Sequence, residues 1–176
     1  MRHEFNDKVL EINDSDVTFN SIYEKKYIPK QYVEDIKKAN VLIIPNENVR
    51  DKGDVLFPET TYEFYNSIKR CDDIVADIAI SDEDFQRLEL HSATITVATV
   101  IVSEIVLPIF IGLVTNFLYD LVKKYRRNSD ETSTEITIYS EETKTKKCKK
   151  IVYKGPVSGV KEALYSVANT LQSERD

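Results

Sequence analysis

The sequence predicts an α+β protein: a small N-terminal α/β unit, one long central apolar helix, and a C-terminal β-hairpin followed by a helix. Three observations carry this. Between Ser92 and Val122 there is no Lys or Arg and only two acids, Glu104 and Asp120, in a chain that is 31% charged. Before that segment, apolar runs at helical spacing alternate with continuous apolar runs, the pattern of helix and strand in turn. After it come two short strand-like runs and then a stripe at i, i+3, i+4. The expected boundaries are 1–91 for the N-terminal unit, 92–125 for the apolar helix, 126–134 for a polar linker and 135–176 for the β-β-α unit.

Taken in order, Val9-Leu10-Ile12 and Val17-Phe19-Ile22-Tyr23 are apolar runs separated by Asp14, Ser15 and Asp16. That arrangement fits a turn between two strands or between a strand and a helix. Pro29 sets φ for a first helical turn, and Tyr32, Val33 and Ile36 then share one helical face, with Asn40 closing the helix. Val41-Leu42-Ile43-Ile44 reads as a strand covered on both faces. A polar loop from Pro45 to Asp54 leads to Val55-Leu56-Phe57. Pro58 to Thr61 opens a helix through Lys69, and Ile74 to Ile80 is a second buried strand. Right-handed crossover of a parallel pair places both helices on one face of it. Asp82, Glu83 and Asp84 are suited to a helix N-terminus, in a segment continued by Phe85, Leu88 and Leu90. Glu135–Tyr139 and Lys150–Tyr153 pair as an antiparallel hairpin with a polar tip. Ser158 is placed to cap a helix whose stripe is Val160, Ala163, Leu164, Val167, Ala168 and Leu171.

Three conformations are open for the apolar segment. Ile95 to Val114 has the roughly 20 apolar residues of a membrane span, and thirteen of them are Ile, Val, Leu or Phe. The bases Lys123, Lys124, Arg126 and Arg127 crowd its C-terminal flank, which would put the C-terminus inside and oblige the polar N-terminal half to cross. Alternatively, the segment is a helix buried on nearly all sides of a soluble fold or against a partner. There Pro108 would kink it or mark a join between two helices, and Gly112 would admit a close neighbour. In the third reading, Ile95 to Val102 is a strand, given its β-branched content, and a helix runs from about Glu104 to Tyr125.

Chemistry is sparsely encoded. The four glycines spell no phosphate-binding loop, and there is no nucleophile elbow or zincin signature. Cys71, Cys148, His3 and His91 have no metal-ligand spacing. No cofactor or metal is expected. The net charge of −6 weighs against nucleic acid, despite a basic run of Lys144, Lys146, Lys147, Lys149 and Lys150. Asp51, Asp54 and Glu59 form the best acid cluster, after a strand where α/β folds place sites, although solvated loop charge explains them as well. His91 reads as a boundary residue. Glu104 is costly at mid-segment unless paired or protonated.

These features point to a non-enzymatic interaction protein that uses residues 93–122 as core or as an interface with a protein partner or a second copy. The residues expected to carry the contact are Ile95, Ile101, Glu104, Ile105 and Pro108, then Ile109, Phe110, Gly112 and Leu113. The alternative is a membrane-associated effector, single-pass or inducible, whose soluble units sense a signal. Two cysteines far apart, and a polar, acidic N-terminus unlike a secretory leader, lead to an expected cytoplasmic location, the membrane being the alternative.

Overall fold

A computed structural model describes residues 8–49, 51–88 and 92–175 of the chain. The fold is α+β, with one long apolar helix and a C-terminal hairpin and helix. Its strands are β1 (Val9–Ser15), β2 (Val41–Ile43), β3 (Asn46–Glu47), β4 (Val55–Pro58), β5 (Ala76–Ile78), β6 (Arg87–Leu88), β7 (Ile95–Thr96), β8 (Val100–Ser103), β9 (Ser133–Glu141) and β10 (Cys148–Pro156). Its α-helices are α1 (Phe19–Tyr23), α2 (Val33–Ile36), α3 (Thr61–Ile68), α4 (Leu107–Lys124) and α5 (Val160–Arg175).

The main sheet has the order β1-β10-β9-β8-β2-β5, with β7 also alongside β9, while β3-β4-β6 forms a small second sheet. β9 and β10 make a long antiparallel hairpin in which Ile138 opposes Ile151 and Ile136 opposes Tyr153. β2 lies between β5, to which it is parallel, and β8, to which it is antiparallel. Asn40 stitches the first of these pairs: its Oδ1 accepts from the Val75 amide and its Nδ2 donates to the Asp73 carbonyl, both at 2.9 Å.

The sequence 95–103 therefore forms strand, as its β-branched content allows, and the helix does not extend back to residue 92. Along β9, Thr96 opposes Glu135 and Val100 opposes Ile138, so four steps on one strand match three on the other. The extra residue is a bulge between β7 and β8. Pro108 neither kinks α4 nor joins two helices. It occupies the first turn, where its missing N–H would be unbonded anyway. A 3₁₀ turn, Glu104–Val106, reverses the chain from β8 into α4. At the far end, Arg126 adopts φ 52°. Its N–H bonds the Lys123 carbonyl and that of Arg127 bonds Val122, a Schellman closure built without glycine.

Alternation along β2 sends Val41 and Ile43 to one apolar cluster and Leu42 and Ile44 to another. The larger cluster joins α3, α4 and α5 to the sheet through Phe64, Phe110, Phe117, Ile138, Tyr153 and Leu164, among others. The smaller one holds α1 and α2 by Phe19, Ile22 and Ile36. The helices before and after β2 thus lie on opposite faces, not on one, because each takes the side its neighbouring side chains leave uncovered. The helix expected to run to Asn40 is shorter, a 3₁₀ turn and then α2. Residues 82–84 form turns and lead to β6 in place of a helix. Leu90 of that expected helix and His91 lie outside the described residues.

The C-terminal stripe is as expected: Val160, Ala163, Leu164, Val167, Ala168 and Leu171 are all buried. The turn that leads into α5 passes under Tyr153, and a Cβ on Gly159 would come within 2.7 Å of the Tyr153 hydroxyl oxygen. Residues 126–134 are tightly bonded: Thr132 donates N–H and Oγ1 to the Asn128 carbonyl, and Val157 N–H donates to Thr132.

The packing of α4 separates neighbouring positions sharply. Phe110 is fully buried, edge-on to Phe64 at 6.0 Å between ring centroids, whereas Ile109 is 38% exposed. Phe110→Ala is expected to cost about 3–5 kcal/mol and Ile109→Ala less than about 1 kcal/mol, measured by urea denaturation at constant m-value.

Candidate functional site

α4 has two faces, and both are apolar at its N-terminal end. Its inner face is Leu107, Phe110, Ile111, Val114, Phe117, Leu118, Leu121 and Val122, all buried. Thr115, also inside, satisfies its hydroxyl by donating to the Ile111 carbonyl at 2.7 Å. The outer face is led by Ile105 of the 3₁₀ turn, which is 68% exposed, and continues on α4 through Pro108 and Ile109. Gly112 and Leu113 follow, partly exposed. Steps of three and four place these on one stripe. The stripe then turns polar at Asn116 and Tyr119 and ends at Lys123, all exposed, with Lys124, Arg126 and Arg127 exposed beside that end. Lys124 reaches Glu63 of α3 at 3.8 Å, an exposed pair worth little.

The structure thus divides the residues singled out from the sequence. Ile101 and Phe110 are core, and Ile95 packs at the edge of the large cluster. Ile105, Pro108 and Ile109 are surface. Gly112 admits a neighbour from its own chain, since a Cβ there would stand 3.2 Å from the Tyr165 hydroxyl of α5. Glu104 is half-buried in the turn before α4, where a carboxylate suits the positive end of the helix dipole. Asn116, Tyr119 and Lys123 belong to the same exposed stripe and were missed. The 3.6-residue signal was present but hidden, because a helix apolar on both sides shows no polar face to set the phase.

The acid cluster does not converge. Asp54 Oδ2 accepts from the Asp51 amide at 2.8 Å, and its backbone carbonyl accepts from Asn48. These bonds close a turn whose Gly53 has φ 95°. Glu59 lies beyond the other end of β4. Among the described residues, no three His, Cys, Asp or Glu side chains gather to hold a metal. Asp77, on the edge strand β5, has its carboxyl pushed up by burial and by the charges of Asp35 and Asp82.

Two of the clefts lie away from α4's outer face. One of about 560 Å³ beside the turn of the β9–β10 hairpin is lined by Glu104, Glu142, Glu174, Lys147 and the Asp14–Lys149 ion pair. Ser140, 3% exposed, also lines it, and its hydroxyl has no partner among the described residues. A second, of about 710 Å³, opens between α1, the loop after β2 and Tyr139. The first is lined by mixed charge and the second by polar and apolar residues together. Glu141 does a structural job beside them: 7% exposed, its Oε1 accepts from the Phe19 amide at 3.1 Å, pinning the start of α1 to the sheet.

No known family model, curated protein or solved structure matches this chain.

Both cysteines are free. Burial, and next the charge of Glu141, push the Cys148 thiol up to about 12, so at pH 8 it is protonated and unreactive. Cys71 is partly exposed. A native titration with a thiol reagent at pH 8 is expected to count one fast thiol, and a titration in denaturant two.

Proposed function

We propose that this protein is a non-enzymatic assembly factor working in the cytoplasm, and that the outer stripe of α4 is its contact surface for an amphipathic helix of another protein. The supporting observation is the exposed run Ile105, Pro108 and Ile109 on a helix whose other face is fully packed. Isolated exposed apolar side chains need no explanation, but a contiguous set at helical spacing is the form of a helix-binding surface.

The chemistry of the occupant follows from the stripe's two ends. An apolar helical face would cover Ile105, Ile109 and Leu113. Acidic residues at one end of that helix would meet Lys123, Arg126 and Arg127, where charge complementarity sets direction and speeds encounter. The membrane reading draws on one observation: Glu104–Lys124 is long and apolar enough, by length and composition, to cross a bilayer, although 56% of its most apolar window is buried in the protein, as in a core helix. Against it, α4 covers Ile136, Ile138 and Tyr153 of the sheet, and leaving them would cost each roughly 1.5–3 kcal/mol.

The test is a photo-crosslinking side chain at position 109 in the full chain, in the cells that make it. A protein adduct mapping to an apolar helical face with adjoining acids, lost with Ile105→Glu, supports the assembly reading. Adducts confined to lipid, or wild-type protein retained in carbonate-washed membranes, would overturn it.

A further inference from the structure

β1 is an edge strand whose outer side pairs with no other described strand. Among the described residues it pairs only with β10, antiparallel, and five of its seven residues are exposed. Half of its backbone N–H and C=O groups therefore point away from the sheet, a template for another strand. Natural edges are usually blunted by a proline, a bulge or an inward charge. β1, Val-Leu-Glu-Ile-Asn-Asp-Ser, has no proline, its seven residues pair with β10 in unbroken register, and the charges on its helix side, Lys8 and Asp14, stand at the ends of the strand's apolar pair.

Directly opposed residues share a face. Leu10 opposes Tyr153 and Ile12 opposes Ile151, and both partners lie in the core under the helices. Leu10 and Ile12 therefore point to the helix side, yet each is 39% exposed. Lys8 is on the same side, its Cγ 3.3 Å from where a Cβ on Gly155 would stand, as is Asp14, bonded to Lys149. This face reads Lys8, Leu10, Ile12, Asp14: a base, two apolar residues, an acid.

We infer that β1 pairs antiparallel with β1 of a second copy, about a two-fold axis through Glu11, joining the two sheets into one with both helical layers on the same side. In that register Leu10 meets the second copy's Ile12, and Lys8 meets its Asp14, so apolar and charged positions are matched together. Moving the axis to Ile12 would set Leu10 against Asp14. Moving it to Leu10 would set Ile12 against Lys8. The interface is isologous and closes at two copies. Its cost is a Glu11–Glu11 pair on the opposite face. Lys150 and Lys154, the diagonal neighbours of Glu11 on β10, oppose that repulsion. This pairing is separate from the α4 stripe, so each can fail without the other.

Sedimentation equilibrium of the full chain is expected to show a dimer. Ile12→Lys, at an exposed position, should weaken it by about a hundredfold or more while circular dichroism and the thermal midpoint show a folded monomer. Register is read by oxidation in a Cys71→Ser background. Antiparallel partners have Cα atoms about 4.5–5.5 Å apart, within disulfide range. Glu11→Cys should crosslink to itself and Ile12→Cys should not. A wild-type monomer at high concentration, a dimer indifferent to Ile12→Lys, or crosslinking at Ile12→Cys but not at Glu11→Cys would overturn the proposal.

Discussion

Burial of β8 on all sides is the constraint from which the rest of the structure follows. Its backbone is paired on both edges, with β2 on one and β9 on the other. Val100 and Val102 enter the cluster under the helices, and Ile101, with Leu42, enters the one that holds α1 and α2. Val100, Ile101 and Val102 are apolar because neither face there is left to water. Among the described residues, β8 is also the one strand that links β2-β5 to the β9-β10 hairpin. The turn at Glu104–Val106 then sends the chain back, and α4 covers the strand it has just left. The apolar segment thus packs against the sheet and against α3 and α5.

What is left over is on two surfaces. The turn into α4 and α4 itself have more apolar side chains than one face can bury, so Ile105 and Ile109 remain outside while Phe110 and Ile111 go in. Among the described residues, β1 is the last strand on its side of the sheet. In the two proposals above, both surfaces serve between molecules. One works through side chains on a helix and the other mainly through backbone hydrogen bonds. Two such surfaces on one small chain allow a dimer that presents two copies of the same helical stripe.

Much of this was legible in the residues. The fold class, the hairpin and the Val160–Leu171 stripe follow from periodicity, because each has one wet and one dry face. The apolar segment was ambiguous for the opposite reason. With no polar face, Ile95–Val114 fits a span, a core helix, or a strand followed by a helix, and only its long-range partners decide. Those partners, Ile43 for Val100 and Tyr139 for Ile101, are about 40 to 60 positions away. Pro108 reads as a kink or as a join between helices because its place relative to the helix start is not fixed by the sequence. Residues 82–84 were read as a helix start because acids favour both a first turn and a tight loop. Asp51 and Asp54 drew attention as chemistry but serve a turn. Glu141 reads in the sequence as an acid beside the basic run of residues 144–150, since its structural role depends on α1 lying over β9.

The most direct test of this account is native-state hydrogen exchange of the full chain in detergent-free buffer, resolved by residue. If β8 is the centre of the structure, the amides of Ile101, Val102 and Ser103 should exchange only through global unfolding, with α4 residues Phe110 to Leu118 close behind, while β1 exchanges faster. If β8 or the inner face of α4 instead exchanged at the rate of the β9-β10 tip, the segment would not be the core on which the sheet is assembled.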